Sequence, residues 1–248
     1  MTEEFRTGVI KPVECMQEGW ELIKDRYWLF FGITILGMLI AGVVPFGIIM
    51  GAMYCGIYYC LLQKMDRKPF EFGDMFKGFN YFLPSLIATL IFIIPVLIFT
   101  VVIWGSMAAV MVGMTDRRGR IDESAIVALY GTMIVEGLIF AFVISCIHAF
   151  IIFTYPLIID RNLSGGAAFK LSARAAWANI GGVIGLILTE FVMGFVGYLL
   201  CAVGVYFVLP IMFAGVAVAY RKVFPKPQQG FDQTPPPPTA YQGAGSYT

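Results

Sequence analysis

Charged residues are scarce in this chain, and two long stretches contain none. Asp, Glu, Lys and Arg make up 13% of the 248 residues, about half the share of an ordinary soluble protein. None occurs from Tyr27 to Gln63 or from Gly78 to Thr115, and each stretch exceeds the roughly 18 apolar residues that predict a membrane span. With 59% hydrophobic residues and a mean hydropathy of +0.80, the chain is expected to be a polytopic membrane protein.

Histidine and paired cysteines are also nearly missing. There is one histidine, His148, and the five cysteines show no C-x-x-C spacing, so neither a metal site nor a redox site is expected. A net charge of +1 gives no basic face for nucleic acid. Because no catalytic constellation or cofactor motif is present, we expect a non-enzymatic protein without a cofactor.

The uncharged stretches predict an all-α bundle of six transmembrane spans. One helix over Tyr27–Gln63 would be about 55 Å long, against a hydrocarbon core of about 30 Å, so a turn is expected at Pro45 and Gly47. A second hairpin is expected to turn near Gly197–Gly204. The Gly78–Thr115 stretch allows either a hairpin about Pro95 or one long kinked helix, and the helix needs fewer assumptions. The expected spans are about 27–44, 46–64, 82–112, 124–157, 179–198 and 202–221.

The distribution of basic residues predicts the orientation of these spans. With six spans and a cytoplasmic N-terminus, fourteen of the 17 Lys and Arg lie inside, and only Arg117, Arg118 and Arg120 lie outside. A seven-span arrangement is less asymmetric. We therefore expect both termini in the cytoplasm, a cytoplasmic segment with an amphipathic helix at 1–26, a transmembrane domain at 27–222, and a disordered Pro/Gln/Gly-rich tail at 223–248.

Three cytoplasmic segments carry apolar stripes at helical spacing that lead directly into spans. We interpret them as interfacial elbow helices, although the first could equally extend its span into the cytosol. Their stripes are Val13, Met16, Trp20, Ile23 and Tyr27; Phe72, Met75, Phe76, Phe79 and Phe82; and Phe169, Ala173, Ala176, Trp177 and Ile180.

The two halves of the chain show a weak internal repeat. Asp66-Arg67 precedes Phe76-Lys77, and Asp160-Arg161 precedes Phe169-Lys170 at nearly the same spacing. Such symmetry is common in transporters, but duplication leaves it in any bundle. By itself it does not indicate transport.

Glu190 is the most informative single residue. It lies near the middle of the fifth span, where a carboxylate costs about 2.5–3.5 kcal/mol. It is therefore either a proton or substrate site, or a neutral side chain hydrogen-bonded between helices. Glu136 is a weaker candidate for the same role, because it lies nearer the end of its span. His148 is about 18 Å from Glu136 along that helix, too far for a shared site.

Two further surfaces are candidates for contacts with lipid or with a second copy. Lys170 and Arg174 form a basic i,i+4 pair beside Trp177, suited to lipid headgroups of the bilayer. Gly105, Ala109 and Gly113 repeat every four residues, a spacing that lets helices approach closely. Packing within the bundle is the default interpretation of that spacing, and a homo-oligomer is the alternative.

Four segments together resemble a broad family of bacterial integral membrane proteins. They are EGWELIKDRYWLFFG, the Pro–Gly hairpin, GDMFKGFNYFLPSL and YPLIIDRNLSGGAAFKLSARAAWAN. The family is similar to the membrane domain attached to some glycerophosphodiester phosphodiesterases, and the resemblance covers about residues 10–225. It implies a six-helix bundle in the bacterial inner membrane, and it carries over no catalytic residue.

Two functional hypotheses follow. The first is a non-enzymatic membrane protein with a role in membrane organisation or in assembly with partners. The alternative is a small permease that uses the intramembrane carboxylate Glu190. A water-accessible cavity at Glu190 favours the permease, whereas a dry, tightly packed interior favours the structural role.

Overall fold

The computed structural model describes residues 5–113 and 123–226, and these residues are helical with no β-strand. The arginines expected in the outer loop and the tail beyond residue 226 lie outside the described residues. The α-helices are α1 (Pro12–Ile23), α2 (Tyr27–Val43), α3 (Met50–Met65), α4 (Phe82–Gly113), α5 (Glu123–Ile151), α6 (Thr154–Arg161), α7 (Gly165–Ala178), α8 (Ile180–Leu199) and α9 (Gly204–Val223). Short 3₁₀ helices occupy Lys24–Arg26, Pro45–Gly47 and Phe72–Tyr81.

Five helical stretches are long and apolar enough to cross a membrane, so the chain has the character of a multi-pass membrane protein. They are Pro12–Val43, Phe72–Ala109, Leu129–Arg161, Ile180–Leu199 and Gly204–Val223. The remaining apolar helix, α3, has 16 residues and is therefore about 24 Å long. That length falls short of a hydrocarbon core of about 30 Å.

The region around Pro95 forms one helix and not a hairpin. α4 continues from Phe82 to Gly113 with Pro95 inside it. Pro45 and Gly47, in contrast, do form the expected turn between α2 and α3, where Gly47 has a φ of +62°. The turn between α8 and α9 lies at Leu200–Val203, and Gly197 and Gly204 bring the two helices close together on either side of it.

The fourth expected span, 124–157, is interrupted. α5 ends at Ile151 and α6 begins at Thr154. Pro156 accounts for the break, because its ring would clash with the carbonyl group four residues earlier, at Ile152. Ser172 of α7 supports the broken backbone: its hydroxyl donates to the Phe150 carbonyl (2.7 Å) and accepts from the Phe153 N–H (3.2 Å).

The three amphipathic segments pack against the bundle in different ways. α1 packs on α9 and α8, and α7 packs on α4, α5 and α6. The second segment is a 3₁₀ helix packed on α3, where Gly78 lies directly against Gly56. Within this 3₁₀ helix the predicted stripe is mostly not buried: Met75 is buried, whereas Phe72, Phe76 and Phe79 are exposed. A 3₁₀ helix has three residues per turn, so Gly78, three residues after Met75, is the other buried residue.

The two ends of the described chain meet at one end of the bundle. The Arg6 N–H donates to the carbonyl of Val223 (2.8 Å), and the Phe5 ring lies 6.1 Å from the Phe224 ring. Asn179, at the start of α8, fixes the same N-terminal segment: its Oδ1 accepts from the Gly8 N–H (2.7 Å) and its Nδ2 donates to the Arg6 carbonyl (3.0 Å).

α9 contacts both helices of the α2–α3 hairpin. In its first turn the Phe207 carbonyl accepts a hydrogen bond from Tyr27, at the start of α2 (2.8 Å). In its last turn Arg221 contacts Asp66, at the end of α3. An ion pair between Asp25 and Lys64 also joins the segment before α2 to the last turn of α3.

Candidate functional site

Glu190 and His148 are brought together between α8 and α5. Oε2 of Glu190 lies 3.4 Å from Nε2 of His148, a long contact for a hydrogen bond. The Glu190 side chain is 16% exposed and the His148 side chain is 43% exposed. The sequence offers no helical spacing that relates these two residues, so their pairing follows only from the packing of the two helices.

A cavity of about 250 Å³ borders this pair. At about 30 Å³ per water molecule in the liquid, that volume corresponds to about eight waters. The cavity is partly enclosed, and apolar atoms form most of its wall. Its aromatic and ionisable lining consists of Tyr54, Tyr58, Phe92, His148, Tyr155, Glu190 and Phe213.

The aromatic rings of the wall pack edge-to-face. Tyr54 lies 5.4 Å from Tyr155 and 5.5 Å from Phe213, and Tyr58 lies 5.5 Å from Phe213. The hydroxyl of Tyr155 is 3.1 Å from Oγ1 of Thr89, which itself donates to the Ser85 carbonyl (2.8 Å). These contacts hold four rings in place without using the carboxylate of Glu190.

Local sequence explains how three helices contribute to the wall. Tyr54 and Tyr58 are four residues apart in α3, so they share a face of that helix. Leu209, Met212, Phe213 and Val216 of α9 line the opposite side with the i, i+3, i+4, i+7 spacing of one helical face. His148 and Tyr155 are seven residues apart, a spacing that places two residues on one helical face, and both line the cavity on either side of the break before Thr154.

Glu136 is not part of this cavity. It lies in α5 and does not line the cavity. Its Oε2 is buried and has no hydrogen-bond partner among the described residues. The two carboxylates that the sequence singles out therefore occupy different environments, and only Glu190 borders a space that could hold a ligand.

The remaining candidates lie on outward-facing surfaces. Lys170 and Arg174 are exposed on α7, and Trp177 on the same helix is 71% exposed while its ring stacks on Phe150 at 6.4 Å. Gly105 and Ala109 are exposed on α4, and a Cβ added at Gly105 would meet nothing within 4 Å. Contact with lipid headgroups and self-association through Gly105, Ala109 and Gly113 remain predictions.

A charge cluster at the shared end of α3, α6 and α9 was not expected from the sequence. Asp160 accepts hydrogen bonds from Arg221 Nη1 (2.9 Å) and from the Tyr220 hydroxyl (2.8 Å). Arg221 Nη2 also reaches Asp66 Oδ1 at 3.5 Å, and Lys226 pairs with the same aspartate. The repeated Asp-Arg dipeptide marks the two aspartates in the sequence, but nothing there indicates that one arginine joins them.

No group of three His, Cys, Asp or Glu side chains within residues 5–113 and 123–226 is placed to hold a metal ion. Acid–base or ion-pair chemistry at His148 and Glu190 is what the described cavity can provide. No family model, curated protein or solved structure matches this chain, so its function has to be argued from the cavity itself.

Proposed function

We propose that this chain is a non-enzymatic, multi-pass protein of a bacterial inner membrane that works as a small permease. The observation that carries the proposal is the cavity bordered by Glu190 and His148. Ligand sites are typically concave, mostly apolar spaces with a few polar groups that fix the orientation of the ligand, and this partly enclosed cavity has that character.

The position of the ionisable pair supports transport. Glu190 stands ten residues into the 20-residue helix α8, so its carboxylate is remote from both helix ends. Ionisable residues at such depth are costly and typically mark a substrate or proton path. Substrate sites of secondary transporters also tend to lie near the middle of the membrane, between helices of the two halves.

Six crossings with both termini in the cytoplasm account for the contacts at the chain ends. A hydrogen bond between Arg6 and Val223 requires both residues to lie on the same side of the membrane. An odd number of crossings between them would place them on opposite sides. Five stretches are long enough to cross, so α3 supplies the sixth crossing, extended by the 3₁₀ turn Pro45–Gly47. Lys and Arg are in excess on the side of the membrane where the two chain ends lie, and such an excess favours the cytoplasmic side.

The proposed internal repeat is supported by the ends of α3 and α6. Each helix ends at or just before an Asp-Arg pair, and a non-glycine residue with positive φ lies at the end of each: Arg67 (54°), within the first pair, and Asn162 (51°), directly after the second. An amphipathic helix and a long apolar helix follow in both cases. We propose that the two units are duplicates within the family of bacterial membrane proteins named above.

The amphipathic segments act as interfacial elbows in this proposal. Trp20, Trp28 and Trp177 are exposed in or beside α1 and α7, which suits the headgroup region, where an indole ring meets both acyl chains and water. Lys170 and Arg174 extend from α7 toward anionic headgroups.

Access of water to the cavity tests the permease directly. All five cysteines are replaced, and one cysteine is introduced either at Met212, which lines the cavity, or at Leu188, an exposed position on α8. A charged, membrane-impermeant thiol reagent should label M212C from either face of sealed vesicles, because a permease opens alternately to both sides. It should not label L188C, because that side chain faces lipid.

An unreactive M212C would indicate a dry interior and would contradict the permease. Labelling from one face only would also count against it, since a site that opens to one side binds without transporting. Protein yield and elution as a single species, compared with the cysteine-free parent, confirm that each variant is folded.

Membrane organisation or partner assembly is the second candidate function. The exposed Gly105 and Ala109 of α4 favour it, because small residues allow another helix to approach closely. Crosslinking in native membranes should then return dimers through α4. If it returns only monomers, self-association through α4 is removed.

A further inference from the structure

The lining of the cavity restricts which ligands could occupy it. Only Glu190 and His148 among its lining residues are ordinarily charged near neutral pH. With the Glu190 carboxylate ionised, the pair carries a net charge of 0 when His148 holds a second proton and −1 when it does not. Neither state offers the positive charge that an anionic ligand needs.

The rest of the wall argues against a strongly polar ligand. Apart from His148 and Glu190, the polar side chains that border the cavity are three tyrosines, and the hydroxyl of Tyr155 is already engaged with Thr89. A sugar or a free amino acid would lose more hydrogen bonds to water than this wall could replace, and unpaired buried polar groups are costly.

Aromatic rings around a carboxylate form the kind of site that binds an organic cation. Tyr54, Tyr58, Tyr155, Phe92 and Phe213 line one cavity with Glu190. Ring faces attract ammonium groups, while the carboxylate supplies the opposite charge. The volume of about 250 Å³ admits a compact ligand and is too small to enclose a whole phospholipid.

We propose, on the basis of the permease function above, that the ligand of this cavity is a small organic cation. Its ammonium group lies among the tyrosine rings and pairs with Glu190. The contact of 3.4 Å between Glu190 and His148 is long enough for an incoming ammonium group to replace the imidazole as the partner of the carboxylate. His148 is then the partner of Glu190 in the empty site.

Two probes of similar shape and different charge test this proposal. Tetraethylammonium is the cation, and 3-ethylpentan-3-ol is a neutral analogue in which a carbon replaces the nitrogen and a hydroxyl replaces one ethyl group. Binding to the full chain in nanodiscs is measured by calorimetry, with empty nanodiscs to correct for partition into lipid. We expect the cation to bind at least about tenfold more tightly, as a desolvated cation–π contact together with an ion pair would give.

Matched variants locate the charge that is responsible. Glu190→Gln should remove the preference for the cation, whereas Glu136→Gln, a carboxylate on α5 outside the cavity, should retain it. Tyr54→Leu should weaken binding of the cation severalfold and leave binding of the alcohol nearly unchanged. Thermal unfolding of each variant shows that it is folded before its affinity is compared.

The possible outcomes distinguish failure of the organic-cation proposal from failure of the permease function. Equal binding of cation and alcohol, or binding of neither while M212C remains water-accessible, overturns the organic cation and leaves the permease standing. A cation preference that persists in Glu190→Gln also overturns it. Failure of M212C to react would remove the permease function independently of either probe.

Discussion

Arg221, in the last turn of α9, holds Asp160, at the end of α6, through a hydrogen bond of 2.9 Å, and both side chains are more than four-fifths buried. The same guanidinium group reaches Asp66 at the end of α3. One arginine thus joins the two aspartates of the proposed repeat. A delocalised guanidinium with several donors suits this role better than an ammonium group would.

Arg221→Gln should destabilise the protein substantially. Removing the cation leaves two largely buried aspartates without their shared partner, and breaking a buried pair costs about 3–5 kcal/mol. Thermal unfolding in detergent should show a decrease in Tm of roughly 6–20 °C for a chain of this size.

Lys222→Gln is the matched control for that experiment. Its partner Glu18 is half exposed, and an exposed ion pair contributes only about 0–1 kcal/mol. An equal decrease in Tm in the two variants would show that the buried Arg221 pair stabilises the fold no more than the exposed Lys222 pair does. The double variant Asp160→Asn/Arg221→Gln should recover part of the loss, because it removes an unpaired charge.

Gly56→Ala should also destabilise the fold, because α3 has no room for a side chain at this position. A Cβ there would lie 1.8 Å from the carbonyl oxygen of Met75, a backbone atom that cannot rotate away. Overpacking of this kind costs about 1–3 kcal/mol, measured as a lower Tm. Gly137→Ala in α5 is the control, since an added Cβ meets nothing within 4 Å there and helix propensity favours alanine by about 1 kcal/mol.

The sequence was sufficient to predict the helices because hydropathy and chain-breaking residues are local signals. The Pro45–Gly47 turn forms where it was expected, and the region of Pro95 is a single helix. The break before Thr154 was also encoded, by Pro156, but a proline inside an apolar run is compatible with both continuation and interruption. The choice depends on Ser172, a residue of another helix, which satisfies the broken backbone.

The candidate site was predictable only in part. Glu190 stands out in the sequence because a carboxylate is rare in an apolar helix. Its neighbour His148 is 42 residues away, and no periodicity connects α5 with α8. The tyrosines of the cavity look like ordinary amphipathic core residues until the packing of α3, α6 and α9 brings them together.

The crossing of α3 is tested by labelling single cysteines in sealed vesicles. If α3 crosses, a cysteine at Val44, before it, and one at Lys68, after it, should react with an impermeant reagent from opposite faces. Native Cys201, in the exposed turn between α8 and α9, should react from the same face as the cysteine at Val44. If the cysteines at Val44 and Lys68 react from the same face, α3 does not cross the membrane, and the six-span proposal is contradicted.

Asn179 holds the N-terminal segment against the start of α8, and no pattern in the sequence indicates this role. It is 5% exposed, and its side-chain amide makes three hydrogen bonds, to Gly8, Arg6 and Ala175. Asn179→Ala should therefore free the N-terminal segment from the start of α8. At about 1 kcal/mol for each neutral hydrogen bond, the expected loss is about 2–3 kcal/mol, measured by thermal unfolding.

Local proteolysis distinguishes the release of this segment from a general loss of stability. Because Asn179 is the link between Arg6 and α8, cleavage near Arg6 and Lys11 should become faster in Asn179→Ala at temperatures well below its Tm. Asn80→Ala, at an exposed position in the 3₁₀ helix Phe72–Tyr81, should change neither the Tm nor the cleavage rate. Unchanged cleavage in Asn179→Ala would mean that the backbone bond between Arg6 and Val223 is enough to hold the two chain ends together.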